Sequence, residues 1–154
     1  MVRLPGSILF ACDNNAVRSP MAEGIMKHYF GETVYVGSAG VRSGVLEPFA
    51  VAAMAEAGID ISHHKAEGFD ELQDSSFDII VSLSPGAQHT AVEMTRTMAC
   101  DLLYWQTFDP TAVRGSREVR LDAYREARDS LVRKILEVFG SEGGAKLPPI
   151  QGIP

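Results

Sequence analysis

Cys12 and Arg18 lie six residues apart in the run Cys12-Asp13-Asn14-Asn15-Ala16-Val17-Arg18-Ser19. A thiolate is a strong nucleophile, and a guanidinium offers a planar fork of donors suited to two oxygens of a tetrahedral oxyanion. The backbone amides of Asp13, Asn14, Asn15, Ala16 and Val17 can wrap the same anion if the segment closes into a loop. Asparagine tolerates the left-handed backbone that a tight loop of this kind demands. Such a loop, opening a helix, lowers a thiol pKa from ~8.5 to between roughly 3.5 and 7.5. The hydroxyl of Ser19 can hydrogen-bond the sulfur and help it depart in a second step. A further acid, Asp109, sits in Phe108-Asp109-Pro110, where proline fixes the neighbouring backbone. Its carboxyl group suits proton donation to a leaving oxygen, and Asp-Pro equally suits a plain turn. The Cys-to-Arg spacing also occurs where a buried structural cysteine merely precedes a surface arginine. The elements around the loop decide between these readings.

Those elements alternate. Ser7–Ala11 is a short apolar run that reads as a buried strand. Met21, Ala22, Ile25, Met26, Tyr29 and Phe30 then recur at helical spacing, with Pro20 in the first turn. Thr33–Val36 reads as a second strand, and Pro48 to Ala57 as an alanine-rich helix closed by Gly58. Asp78–Leu83 reads as a third strand, Pro85 to about Thr97 as a helix, and Leu102–Gln106 as a fourth strand. Leu121, Tyr124, Ala127, Leu131, Ile135 and Val138 mark a long final helix. Apolar strands alternating with helices predict an α/β fold: three layers, with a parallel sheet covered on both faces. Ligands in such sheets bind at the carboxyl ends of the strands, where the Cys12 loop joins the first strand to the first helix. That placement favours the nucleophile over the structural cysteine.

The chain has 154 residues and a formal net charge of −6. The length predicts one domain, residues 1–139, followed by a Gly- and Pro-rich flexible tail at 140–154. The negative charge argues against nucleic acid and anionic membrane surfaces as partners. No apolar run approaches a bilayer span and the N-terminus lacks a signal-peptide pattern, so a cytoplasmic protein is expected. Two cysteines, Cys12 and Cys100, should then be reduced thiols, with Cys100 a small core residue. His63-His64 lacks ligands at metal spacing, so no metal and no cofactor are expected. Arg114, Arg117, Arg120, Arg125, Arg128 and Arg133 alternate with acids and read as a solvated face.

The stretch from Cys12 through Asn15, Arg18, Ser19, Pro20, Met21, Ala22 and Glu23 closely resembles the low-molecular-weight protein tyrosine phosphatases and the arsenate reductases of the same fold. Ser38-Ala39-Gly40, Ala57-Gly58-Ile59-Asp60-Ile61-Ser62 with His64, and Asp109-Pro110 resemble three further motifs of that superfamily, in the same order. The resemblance implies a four-stranded parallel sheet flanked by helices. It implies a phosphocysteine on Cys12, phosphoryl oxygens on Arg18, and Asp109 as general acid and then base. Asn15, held by Ser38 and His64, would support the loop. The implied activity is a cysteine-dependent phosphomonoester hydrolase acting on phosphorylated protein or a small phosphoester.

Departures from the phosphatase pattern are local. Val17 stands where those enzymes usually carry a second cysteine. Thr111-Ala112 and the Val41–Leu46 stretch lack the aromatic walls that would stack on a phenyl ring. These gaps favour a small or non-aromatic substrate. They open a second reading, arsenate reduction. Thioredoxin-coupled reductases of the superfamily need further cysteines after the third strand, where this chain has Leu83-Ser84-Pro85-Gly86-Ala87. A reductase here would therefore use an external small thiol. A non-catalytic phosphate-binding module is the third and most distant reading.

Overall fold

The computed structural model describes residues 4–73 and 76–140. Four parallel strands form one sheet in the order β2-β1-β3-β4. They are β1 (Ser7–Cys12), β2 (Tyr35–Gly40), β3 (Ile79–Ser82) and β4 (Asp101–Tyr104). The helices are α1 (Arg18–Phe30), α2 (Pro48–Glu56), α3 (Pro85–Met94) and α4 (Arg117–Phe139). The three-layer arrangement anticipated from the alternating pattern is therefore present. The two layers of helices are unequal. Ile8, Phe10, Cys12, Ile79 and Val81 point to a large core shared with α1, α2 and α4. Leu9 and Ile80, on the opposite pleat, meet α3 through Ala91, together with Phe77.

The strands bring their carboxyl ends to one edge. Cys12 is in register with Gly40, and Ala11 with Ser82, which is in turn in register with Tyr104. The turns after β1, β3 and β4 thus meet there. β2 runs to Gly40 rather than ending at Val36. Thr33 and Val34 are spent closing α1, their amides donating to the Phe30 carbonyl at 3.0 and 2.9 Å. The strand continues through Gly37-Ser38-Ala39-Gly40, whose small side chains hide its β character from a pattern reading. Their smallness is a packing requirement. A Cβ on Gly40 would lie 2.6 Å from the Asn15 nitrogen.

β4 is a half-exposed edge strand that ends before Trp105. Trp105 itself is core, its ring centroid 6.1 Å from both Phe10 and Phe139. Gly58, at φ 81°, closes α2. Its amide donates to Ala55 and that of Ile59 to Met54, the paired bonds of a Schellman end. The arginine row on α4 is not uniformly solvated. Arg128 is buried and donates to the Ala53 carbonyl at 2.7 Å, tying α4 to α2. Cys100 is half-buried at the rim of the smaller core, not inside it. The expected tail falls at 141–154, outside the described residues, whereas Gly140 still caps α4 with its amide on Leu136. Among the described residues no helix is long and apolar enough to cross a membrane.

Candidate active site

The loop between β1 and α1 is held open by its own carbonyls. Those of Cys12, Asp13, Asn14 and Ala16 accept from the amides of Val41, Arg42, Gly44 and Glu47 at 2.7 to 3.1 Å. Peptide planes tied outward on the carbonyl side present their N–H groups to the other side, toward the cleft. α3 and α4 each begin with a serine side chain accepting an amide, Ser84 from Ala87 and Ser116 from Val119. α1 has no such cap. The Ser19 amide points at Cys12 Sγ and Pro20 has no N–H, which leaves the Arg18 amide and the positive dipole end for a ligand.

Asn15 is the keystone of the loop. It is fully buried and adopts φ 53°, the left-handed conformation expected of this segment. Its Nδ2 donates to Ser19 Oγ at 2.8 Å and Ser38 Oγ at 2.9 Å. Its Oδ1 accepts from the Glu67 amide at 2.9 Å, which fixes the orientation of the side-chain amide. The same oxygen lies 3.0 Å from His64 Nε2, so that nitrogen carries the proton. Ser38 in turn donates to Glu23 Oε1 at 2.5 Å. Sequence reasoning assigned Ser38 and His64 to this support. It gave Glu23 no role, although Glu23 lay within the matched motif.

Cys12 is 2% exposed, at the floor of a narrow cleft lined also by Asn14, Ala16, Val17, Arg18, Asp109 and Thr111. Its Sγ lies 3.0 Å from Ser19 Oγ and 3.4 Å from the Ser19 amide. Ser19 Oγ accepts from Asn15, and its single proton faces two acceptors, the Cys12 sulfur at 3.0 Å and the Ala39 carbonyl at 3.4 Å. Arg18 reaches the cleft from α1. Its Nη1 donates to the Thr107 carbonyl at 3.0 Å and its Nη2 to Asp13 Oδ2 at 3.1 Å. Asp109 faces the same place, with Oδ2 3.9 Å from Arg18 Nη2. Its Oδ1 accepts from the amide and hydroxyl of Thr111 at 3.0 and 2.7 Å, which orients the other oxygen to the cleft.

The structure thus brings Cys12, Asp13, Asn14, Asn15, Ala16, Val17, Arg18, Ser19, Ser38, His64 and Asp109 around one loop. Cys100 stands apart. It precedes β4, at the opposite edge of the sheet, about 15 Å from Cys12 along the strand direction alone. Its thiol pKa is pushed up by burial and by the Asp101 charge. None of the residues lining the cleft is aromatic. His63 is exposed and takes no part in the loop. Among the described residues no three His, Cys, Asp or Glu side chains gather as metal ligands do.

Comparisons with known proteins identify the family and the fold. The family model described as "Low molecular weight phosphotyrosine protein phosphatase" matches residues 7–142. The chain is similar to an arsenate reductase of Halalkalibacterium halodurans, 33% identical over 136 residues, covering 88% of this chain and 96% of that protein. It is also similar to a glutaredoxin arsenate reductase of Synechocystis sp., 31% identical over 131 residues, covering 83% and 97%. Among solved structures, a low molecular weight protein tyrosine phosphatase from T. tengcongensis superposes with a TM-score of 0.69 at 26% identity. That superposition covers 85% of this chain and 97% of the other.

Proposed function

The chain belongs to the low molecular weight phosphotyrosine protein phosphatase family, and from that premise we propose that it hydrolyses phosphomonoesters through a phosphocysteine on Cys12. The observation that carries this reading is Asp109, which lines the same cleft as the thiol with Oδ1 held by Thr111 and Oδ2 3.9 Å from Arg18 Nη2. In the first step the Cys12 thiolate attacks phosphorus. The S–P bond forms, the P–O ester bond breaks, and the Asp109 proton passes to the leaving oxygen. Arg18 and the amides of 13–17 hold the three equatorial oxygens. In the second step Asp109, now a carboxylate, takes a proton from water as it attacks phosphorus. The S–P electrons return to Cys12, whose sulfur the Ser19 hydroxyl stabilises. No electrons are gained or lost overall. The cleft without aromatic walls suits a small ester or an aliphatic phosphoryl carrier over a phenyl ring.

A second reading has its own support, since the two curated relatives described above are arsenate reductases. Cys12 would then attack arsenate, forming an S–As bond as water departs. A second thiol must attack that sulfur, leaving the S–As electron pair on arsenic as arsenite and forming a disulfide. The whole chain has two cysteines, and Cys100 is far beyond disulfide reach of Cys12. At the turn after β3 stands Ser84, engaged with Asp13 at 2.7 Å. The second thiol would have to be external, such as glutathione or a glutaredoxin.

Turnover of p-nitrophenyl phosphate and of an alkyl phosphate by the wild type, Cys12→Ser and Asp109→Asn separates these. The hydrolase reading requires complete loss with Cys12→Ser. It requires Asp109→Asn to cost more with the alkyl ester, whose leaving group needs the proton more. No turnover of either ester, with arsenite formed once glutathione and glutaredoxin are added, would give the reductase reading its place.

A further inference from the structure

We infer that the side chain of Asp13 is a positioning residue that aims Arg18 at the anion in the cleft. The inference rests on Arg18 being the oxyanion-binding group of the reading above. An acid in an anion cradle is electrostatically perverse. Cys12 as a thiolate and Asp13 would already bring two negative charges to the neighbourhood of one guanidinium, with the Asp109 carboxyl 3.9 Å from it, in a chain whose net charge is −6. A carboxylate at that place needs a reason that outweighs repulsion of the substrate.

The geometry supplies one. Arg18 leaves α1 at its first residue, where the backbone alone does not fix a long side chain. Two bonds fix it. Nη1 donates to the Thr107 carbonyl at 3.0 Å, and Nη2 to Asp13 Oδ2 at 3.1 Å. These engage two of the five guanidinium donors and leave the others for the ligand. Asp13 is itself held. Its Oδ1 accepts from Ser84 Oγ at 2.7 Å, and Ser84 is fixed as the cap of α3 by the Ala87 amide at 3.2 Å. Gly86 leaves the space, since a Cβ there would come within 3.1 Å of Asp13 Oδ1. The chain Ala87 amide, Ser84, Asp13, Arg18 thus ties the turn after β3 to the catalytic arginine. A planar guanidinium bound on two sides is pre-organised, and a pre-aimed donor stabilises charge more than a mobile one.

The test is alkylation of the Cys12 thiol in a Cys100→Ser background, with iodoacetate and neutral iodoacetamide compared. Their rate ratio reports guidance of an anion by Arg18, whether or not the protein hydrolyses any ester. If Asp13 aims Arg18, Asp13→Ala lowers the iodoacetate preference by roughly fivefold or more, as expected for losing one charged hydrogen bond. Asp13→Asn, which keeps an acceptor oxygen, falls between, and Ser84→Ala moves the ratio the same way by less. A raised preference in Asp13→Ala would mean that Asp13 acts as a repelling charge, and would overturn the inference. So would a ratio within twofold of the parent. An unchanged melting temperature separates aiming from unfolding, and inorganic phosphate protecting Cys12 in the parent confirms that the cradle is intact. Failure of the hydrolase reading appears separately, as absent ester turnover in the wild type.

Discussion

Single residues in this protein carry weight in proportion to how many others lean on them. Asn15 has no exposure, sits in the left-handed region, and satisfies Ser19, Ser38, His64 and the Glu67 amide together. Asn15→Ala should lower kcat/KM on the order of a hundredfold by letting the loop drift about an ångström. It should also cost about 2 kcal/mol of stability through the polar groups left unpaired. Steady-state kinetics and thermal melts check both. Cys100 makes the opposite case. Burial and the Asp101 charge hold its thiol above the ordinary range, so it is less thiolate at neutral pH than a free cysteine. In a Cys12→Ser variant, iodoacetamide should label Cys100 more slowly than glutathione at pH 7.5, with the rate still climbing above pH 9. That Cys12, Arg18 and Ser19 share one loop was legible because they lie in one short run, and Asp109 could be set at the same end of the sheet because it follows the fourth strand. The side-chain role of Asp13 was not, because its partner Ser84 is 71 residues away and only the fold joins them.

At the scale of elements, the turn after β1 works because β2 is thin where it passes. Gly40 stands beside Cys12 in register, with the Asn15 nitrogen in the place a Cβ would need. Gly40→Ala should cost about 1 to 3 kcal/mol as an overpacking strain and should lower activity further than stability, because the strain falls on the catalytic loop. The same thinness explains the misplaced strand. A run of Gly, Ser and Ala has little β character of its own, and the neighbouring strand with the loop behind it makes the strand. Helices with clear apolar periods were readable to within a few residues. The fourth strand was read as running from Leu102 to Gln106, whereas β4 spans Asp101–Tyr104 and its edge position leaves it half exposed.

α2 and α4 are clamped by Glu56. Its carboxyl is held below the usual 4.5, chiefly by hydrogen bonds from Arg125, with Arg128 adding to it. A depressed folded-state pKa contributes stability that is present above the unfolded value and lost as pH falls through the folded one. Glu56→Gln should therefore melt lower than the wild type at pH 7. The gap should narrow as pH falls below the ordinary carboxylate value of 4.5, and it should be small throughout, because the pair is partly solvated. Calorimetry across pH reads this directly.

Across the whole molecule, the parallel sheet collects the turns after β1, β3 and β4 at one edge and leaves Cys100 at the other. The first feature makes a site, and the second leaves Cys12 without a resolving partner in its own chain. The fold class was legible because alternating apolar strands and helices admit few arrangements. The unequal helical layers were not, since burial of Arg128 and the pairing of α2 with α4 are tertiary facts. A protein of this design should form no intramolecular disulfide. Under mild peroxide, Cys12 should pass to sulfenic acid or to a mixed disulfide with added glutathione, readable by intact mass.

The proposed hydrolysis passes through a covalent phosphoryl group on Cys12, which can be trapped. Asp109→Asn, mixed with p-nitrophenyl phosphate and quenched in alkali, should accumulate a thiophosphate. Removing the general base slows hydrolysis more than it slows loss of a good leaving group. Mass analysis of the peptide spanning Cys12 should show one added phosphoryl group, absent from Cys12→Ser. A Cys12 peptide that stays unmodified while the wild type turns the ester over, or a phosphoryl group found on another residue, would rule out a phosphocysteine mechanism.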